Sequence, residues 1–82
     1  MPLYMDVHRN IDAKPDAVIE AHQLDLSVQE RYGVSYEHYW IAPDDGVVFC
    51  LFEAPNKRAG EDVHRDAHGL LAEEIFEVQE GA

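Results

Sequence analysis

The amino-acid sequence predicts an α+β fold, in which a four-stranded antiparallel sheet carries two helices on one face. Three observations support this fold class. Apolar residues alternate with polar ones near the start of the chain, two stretches have apolar residues at helical spacing, and turn-forming residues separate these stretches from β-branched and aromatic runs. The elements are therefore expected in the order strand, helix, strand, strand, helix, strand.

The first half of the chain predicts a strand followed by a helix. Residues 2–8 alternate with the period of a half-buried strand, and residues 10–14 form a turn. Pro15 then suits the first position of a helix, and Gly33 suits its left-handed end. The apolar stripe of this helix is predicted to be Ala17, Ala21, Leu24, Val28 and Tyr32.

The second half predicts a hairpin, a helix and a last strand. Residues 34–41 and 47–54 are rich in aromatic and β-branched side chains and flank a Pro-Asp-Asp-Gly turn. Asn56 can cap a second helix that ends near Gly69, and residues 74–80 form the final strand. The buried face of the second helix is predicted to be Ala59, Val63, Ala67 and Leu70 or Leu71.

This order of elements is the split βαβ arrangement of ferredoxin-like domains. The helices cover one face of such a sheet, yet large apolar side chains occur on both faces of several strands. A sheet that is apolar on both faces favours burial on both, so we expect a homodimer in which two sheets enclose a barrel-like interior. The alternation is clearest in the third strand, where Val47, Phe49 and Leu51 alternate with Val48, Cys50 and Phe52.

Length and composition limit the function classes. Eighty-two residues suit a single domain over residues 1–82, and 46% hydrophobic with 28% charged residues is typical of an ordered protein. Six basic and 17 acidic residues give a net charge of −11, which disfavours nucleic acid and anionic membrane surfaces as partners. Asp6 and Arg9 stand where a signal peptide would need its apolar stretch, and the single cysteine, Cys50, cannot form an internal disulfide. A cytoplasmic location is therefore expected.

Asp6 and His8 are the first candidate metal ligands. They are two residues apart on the first strand, so their side chains leave the same face and can bridge a metal ion. If Leu3, Met5 and Val7 face the helices, this pair faces the dimer interior. The alternative interpretation is a plain cross-strand polar pair.

Three further histidines are candidates. His38 could face the same space from the second strand, or it could be a partly buried histidine with a backbone or tyrosine partner. His64 and His68 stand four residues apart on the second helix, which is a chelating geometry but also one that two solvated histidines near a helix end can have. His22 and Cys50 are interpreted as structural residues.

Three stretches of the chain, at residues 4–9, 47–55 and 63–69, resemble in order and spacing the small ferredoxin-like nickel-binding family, also called nickel-responsive proteins. The resemblance implies a dimeric α+β barrel and binding of nickel by histidines and carboxylates. His38 and His64 match positions that are often histidine in the family, and His8 matches in the closer relatives.

The leading hypothesis is a cytosolic homodimer that binds a divalent transition metal for sequestration or response, without any required catalysis. Nickel is the expected ion, with zinc, copper and cobalt as alternatives, and affinity should fall below about pH 6 as imidazoles protonate. A small dimeric-barrel enzyme, monooxygenase-like or isomerase-like, and a small-molecule-binding module are the alternative functions. The proposed ligands are Asp6, His8, His38, His64 and His68.

Overall fold

The computed structural model describes residues 1–9 and 13–81, and it has the predicted order of elements. Most of the turn predicted at residues 10–14 lies outside the described residues. No helix within the described ranges is long and apolar enough to cross a membrane. The elements are β1 (Leu3–His8), α1 (Pro15–Val28) continued by a 3₁₀ turn (Gln29–Tyr32), β2 (Ser35–Ala42), β3 (Val47–Glu53), α2 (Lys57–Ala67) and β4 (Glu74–Val78).

The four strands form one antiparallel sheet in the order β2-β3-β1-β4. The central strand β1 places Asp6 opposite Cys50 of β3 and opposite Ile75 of β4. The pairing of β2 with β3 is irregular between Tyr36 and His38. This topology confirms the predicted ferredoxin-like α+β fold.

Local signals in the sequence set the helix ends. Pro15 occupies the start of α1, and Gly33 ends the following 3₁₀ turn with φ of 68°, a left-handed conformation that favours glycine. The side chain of Asn56 accepts a hydrogen bond of 2.9 Å from the backbone N–H of Ala59 and so caps α2.

Helix α2 packs very closely on the sheet at Gly60. A Cβ atom at this position would collide with the ring of Phe52, which is fully buried in β3. The ring centroid of Phe52 lies 5.4 Å from that of Tyr4 and 4.9 Å from that of Tyr36, so it has little room to move. The hydroxyl of Tyr36 donates a hydrogen bond of 3.1 Å to the carbonyl oxygen of Gly60. This close approach brings the next turn of α2, which carries His64, onto β1.

The two faces of the sheet differ in what covers them. Tyr4, Asp6 and His8 lie on the face covered by the helices, so β1 has the opposite orientation to the one that placed Asp6 and His8 in a dimer interior. The other face is apolar and carries two large side chains, Trp40 and Phe76, that are each 49% exposed. We call this surface the open face; it includes Leu3, Met5, Val7, His38, Trp40, Phe49, Leu51, Phe76 and Val78.

The buried stripe of α1 also differs from the prediction. Leu24 was expected to be buried, but it is 41% exposed, whereas its neighbour Asp25 is only 3% exposed. A buried carboxylate needs partners. The partners of Asp25 are His64 of α2 and His68, which directly follows that helix. Helix α1 is therefore rotated about its axis relative to the predicted orientation, so that Asp25 rather than Leu24 faces the interior.

Candidate metal centre

Four buried side chains from three elements bring possible metal-ligand atoms together. Asp6 and His8 come from β1, Cys50 from β3 and His64 from α2. One ligand atom from each lies within 4.8 Å of the other three. Alternation in β1, the register of β1 on β3 and the close approach of α2 together produce this cluster.

The shortest separations centre on Nε2 of His64. It lies 2.8 Å from Oδ2 of Asp6, 3.3 Å from Nε2 of His8 and 3.1 Å from the hydroxyl of Tyr36. Donor atoms that share one ion at about 2.0–2.1 Å are roughly 2.8–3.4 Å apart, from octahedral to tetrahedral geometry, so the distances of 2.8 and 3.3 Å from Nε2 of His64 are compatible with ligands of a common ion.

The second oxygen of Asp6 is a further observation on the same site. Oδ1 is completely buried and has no hydrogen-bond partner within residues 1–9 and 13–81. Nε2 of His8 lies 3.3 Å from it, at ion-pair distance but outside hydrogen-bond geometry. A buried carboxylate oxygen is rarely left without a partner, and an ion between Asp6 and His8 would supply one.

Asp25 holds the outer side of His64. The Nδ1–H of His64 donates to Oδ1 of Asp25 over 2.9 Å, which directs Nε2 toward Asp6 and His8. Histidines that ligate metals commonly make this contact, which fixes the ring orientation and the tautomer. Nε2 of His68 lies 3.0 Å from the same oxygen of Asp25. His68 therefore contacts the cluster indirectly, through Asp25.

Without a metal ion, His64 is a cation between two carboxylates. Burial alone would lower its pKa, but hydrogen bonds to Asp25 and Asp6 outweigh burial and raise the pKa of His64 to about 9. Burial likewise favours a higher pKa for Asp6 and Asp25, yet their histidine partners lower the pKa of both carboxyls below the ordinary value. A divalent ion at Nε2 would therefore take the place of a proton.

Cys50 and Tyr36 are neutral in this environment. Burial, together with the nearby charge of Asp6, raises the pKa of the Cys50 thiol and of the Tyr36 phenol. A bound cation inverts this effect, since a coordinating thiol loses its proton. Cys50 is therefore a ligand only for an ion that displaces its proton.

A cavity of about 520 Å³ reaches the cluster from the surface. It lies on the helix-covered side of the sheet, and its inner end includes His8, Cys50 and His64. His22 of α1 lines the same cavity, with its ring centroid 4.6 Å from that of Tyr39. The candidate centre is thus buried but has a route to solvent.

The structure brings together three of the five predicted ligands, Asp6, His8 and His64, and places His68 beside them through Asp25. His38 lies elsewhere: it is exposed on the open face, with its ring centroid 6.1 Å from that of Trp40.

Sequence reasoning missed Asp25, Cys50 and Tyr36 as members of the site. For Asp25 a signal exists, because it recurs at helical spacing with Ala21 and Val28 and so interrupts an apolar stripe. For Cys50 and Tyr36 no comparable signal exists, since each fits an ordinary strand core.

The fold and the cluster define a small ferredoxin-like α+β protein with a buried imidazole and carboxylate centre suited to a transition metal ion. Comparison with known proteins narrows this class. A family model described as nickel-responsive protein, SCO4226-like, matches residues 4–78, and the chain belongs to this family, which confirms the resemblance found in the sequence. The crystal structure of SCO4226 from Streptomyces coelicolor A3(2) is similar, with 40% sequence identity, a TM-score of 0.90 and coverage of 98% of this chain and 99% of that one. No curated protein matches this chain significantly.

Proposed function

We propose that this protein is a cytosolic homodimer that binds a divalent transition metal ion, with nickel as the leading candidate, and serves in sequestration of the metal or in the response to it. The observation that carries the proposal is the buried convergence of Asp6, His8 and His64, in which one carboxylate oxygen has no hydrogen-bond partner among the described residues. The description of the family as nickel-responsive supports the choice of nickel.

The donor chemistry supports a late first-row ion. Imidazole nitrogens with a carboxylate and a thiol suit nickel, zinc, cobalt and copper better than calcium or magnesium, which prefer oxygen ligands alone. A net charge of −11 raises the local concentration of cations around the chain. In this proposal Asp6, His8 and His64 hold the ion, Cys50 is available as a fourth donor, and Asp25 orients His64.

Calorimetric titration of chelator-treated protein with nickel, zinc and cobalt tests the proposal. We expect one ion per chain at the cluster, and we expect His8→Ala to weaken its binding by at least about tenfold because one imidazole donor is lost. His8→Gln, which keeps more of the volume, serves as a second variant should His8→Ala fail to fold. Equal affinity in wild type and both variants, or no binding by the wild type, would refute the assignment.

His38→Ala is the matched control. Because His38 lies on the open face, its removal should leave the ion at the cluster in place. If His38 binds a metal ion, that ion must occupy a second site outside the cluster. A second ion per chain that is lost in His38→Ala would identify His38 as a ligand of that second site. Loss of the first ion in His38→Ala would contradict the geometry.

The homodimer is proposed on the evidence of the open face. Trp40 and Phe76 are each 49% exposed there, beside the half-buried Met5 and Leu51. An apolar patch of this extent on so small a protein favours a partner, and a second copy presents the same surface. Sedimentation analysis should give a dimer for the wild type and a monomer for Trp40→Glu. A monomeric wild type would refute this part of the proposal.

A further inference from the structure

The cavity beside the candidate metal centre has two chemically different ends. Its outer end is lined by Ala17, Leu70 and Leu71, all of which are exposed at the surface. Its inner end is lined by the buried histidines His8 and His64. The remaining wall is mainly apolar, with Val18, Ala21 and Val48, but it also includes the polar side chains of His22, Asp25, Tyr39 and His68.

The size of the cavity is that of a small-molecule site. Its volume of about 520 Å³ lies within the range of roughly 300–1,000 Å³ that is usual for such sites, which combine apolar walls with a few polar groups at fixed places. Water in an apolar-walled cavity makes few hydrogen bonds, so an apolar ligand gains by displacing it.

An ion needs an entry path to a buried centre, but that path need not be a cavity of about 520 Å³ with mainly apolar walls. Structural metal sites are closed by protein ligands on every side, whereas sites that act on a further molecule keep one position open to it. Here β1, β3 and α2 supply the donors, and three of the four donor residues, His8, Cys50 and His64, also line the cavity.

We propose that the cavity binds a small organic molecule with an apolar body and an oxygen or nitrogen donor head group, and that the head group completes the coordination of the ion held by Asp6, His8 and His64. This inference depends on the proposed metal-binding function. The apolar body lies against Val18, Ala21 and the leucines at the cavity mouth.

The charges of the site favour a neutral or singly negative head group. A divalent ion together with the carboxylates of Asp6 and Asp25 is neutral overall. Phenols, hydroxamates and carboxylates with one aromatic ring or a short branched chain therefore fit both ends of the cavity. Large polyanions fit neither the charge nor the apolar wall.

Cobalt-loaded protein provides a direct test, because the visible absorption of cobalt(II) depends on the number and geometry of its ligands. Benzohydroxamate is the probe, and acetohydroxamate, which has the same head group without the aromatic ring, is the matched control. We expect both to change the spectrum, and we expect benzohydroxamate to bind at least about tenfold more tightly because its ring is buried against apolar wall. Equal affinity for the two probes, or removal of cobalt from the protein by both, would overturn the inference.

Two variants separate the cavity from the metal centre. Ala17→Trp obstructs the mouth at an exposed position, and Ala21→Phe fills the middle of the cavity, while neither alters a donor side chain. Both should bind cobalt with wild-type stoichiometry and lose the preference for benzohydroxamate. If the preference persists in both, the probe does not bind in the cavity and the inference is wrong.

The wild type distinguishes failure of the inference from failure of the proposed function. If the wild type binds cobalt but neither probe changes its spectrum, the inference alone fails. If the wild type binds no cobalt, the proposed function fails and the inference fails with it.

Discussion

The position of His64 between two carboxylates predicts a specific pH dependence of stability in the metal-free protein. The pKa of His64 is raised from 6.5 to about 9, chiefly because its hydrogen bonds to Asp25 and Asp6 outweigh the effect of burial. A difference of this size between the folded and unfolded states corresponds to about 3 kcal/mol of stability. The groups that face His64 from the surrounding elements are Asp6 and His8 of β1, Asp25 of α1, Tyr36 of β2, Cys50 of β3 and His68, which directly follows α2.

The sign of the effect follows from the direction of each shift. Because the folded pKa of His64 is raised, its contribution is fully present below about pH 6.5 and is lost as the pH rises through about 9. Asp6 and Asp25 have lowered pKa values, so their contributions are present above about pH 4 and are lost as the pH falls further. The metal-free protein should therefore be most stable between about pH 5 and pH 6.5.

Urea unfolding in the presence of a chelator, followed by circular dichroism at one fixed protein concentration, measures this loss. We expect the wild type to lose about 2–3 kcal/mol between about pH 6.5 and pH 9.5, and we expect His64→Gln to be nearly flat over the same range because its side chain does not titrate. His38→Gln, on the open face, should keep the wild-type slope. Parallel curves for wild type and His64→Gln would refute the ion-pair interpretation of the cluster.

Three further substitutions test the supports of the site. Asp25→Asn keeps every proposed metal ligand but removes the carboxylate that orients His64, so calorimetry should show nickel binding weakened by about 10–100-fold; unchanged affinity would show that this contact has no role. Gly60→Ala should destabilise the protein in urea, because the collision with Phe52 costs about 1–3 kcal/mol while alanine gains at most about 1 kcal/mol of helix propensity; a more stable variant would contradict the close packing. Asn56→Ala should cost about 1 kcal/mol through loss of the α2 cap, whereas Asn56→Asp should be nearly neutral, and equal losses in both would exclude capping as the cause.

The sequence is sufficient to predict the order and approximate bounds of the elements, because the signals for them are local. Pro15 and Gly33 bracket the first helical segment, and Asn56 caps the second, as expected. Each of these residues acts on backbone within a few positions of itself, so its effect does not depend on tertiary contacts.

The site is harder to predict than the elements, because the burial of its residues depends on contacts with residues far away in the sequence. The prediction that Leu24 is buried and Asp25 exposed assumes that burying a carboxylate is costly. In the structure this cost is offset by a hydrogen bond from His64, which is 39 positions away in the sequence. His64 is in turn buried because Gly60 lets α2 approach the sheet. The spacing of Asp25 within α1 can mark it as facing inward, but its pairing with His64 cannot be recognised from either helix alone.

The orientation of β1 connects the proposed metal centre to the proposed dimer. Side chains alternate along a strand, so the choice that places Asp6 and His8 under the helices also places Met5 on the open face. A shift of one residue would expose the carboxylate and bury the methionine, and the cluster and the apolar surface would be lost together. Because the donors of the cluster belong to one chain and lie on the face away from the proposed dimer interface, an ion there requires no ligand from a second copy. Association of two chains and binding of the ion at the cluster are therefore separable properties of opposite faces of one sheet.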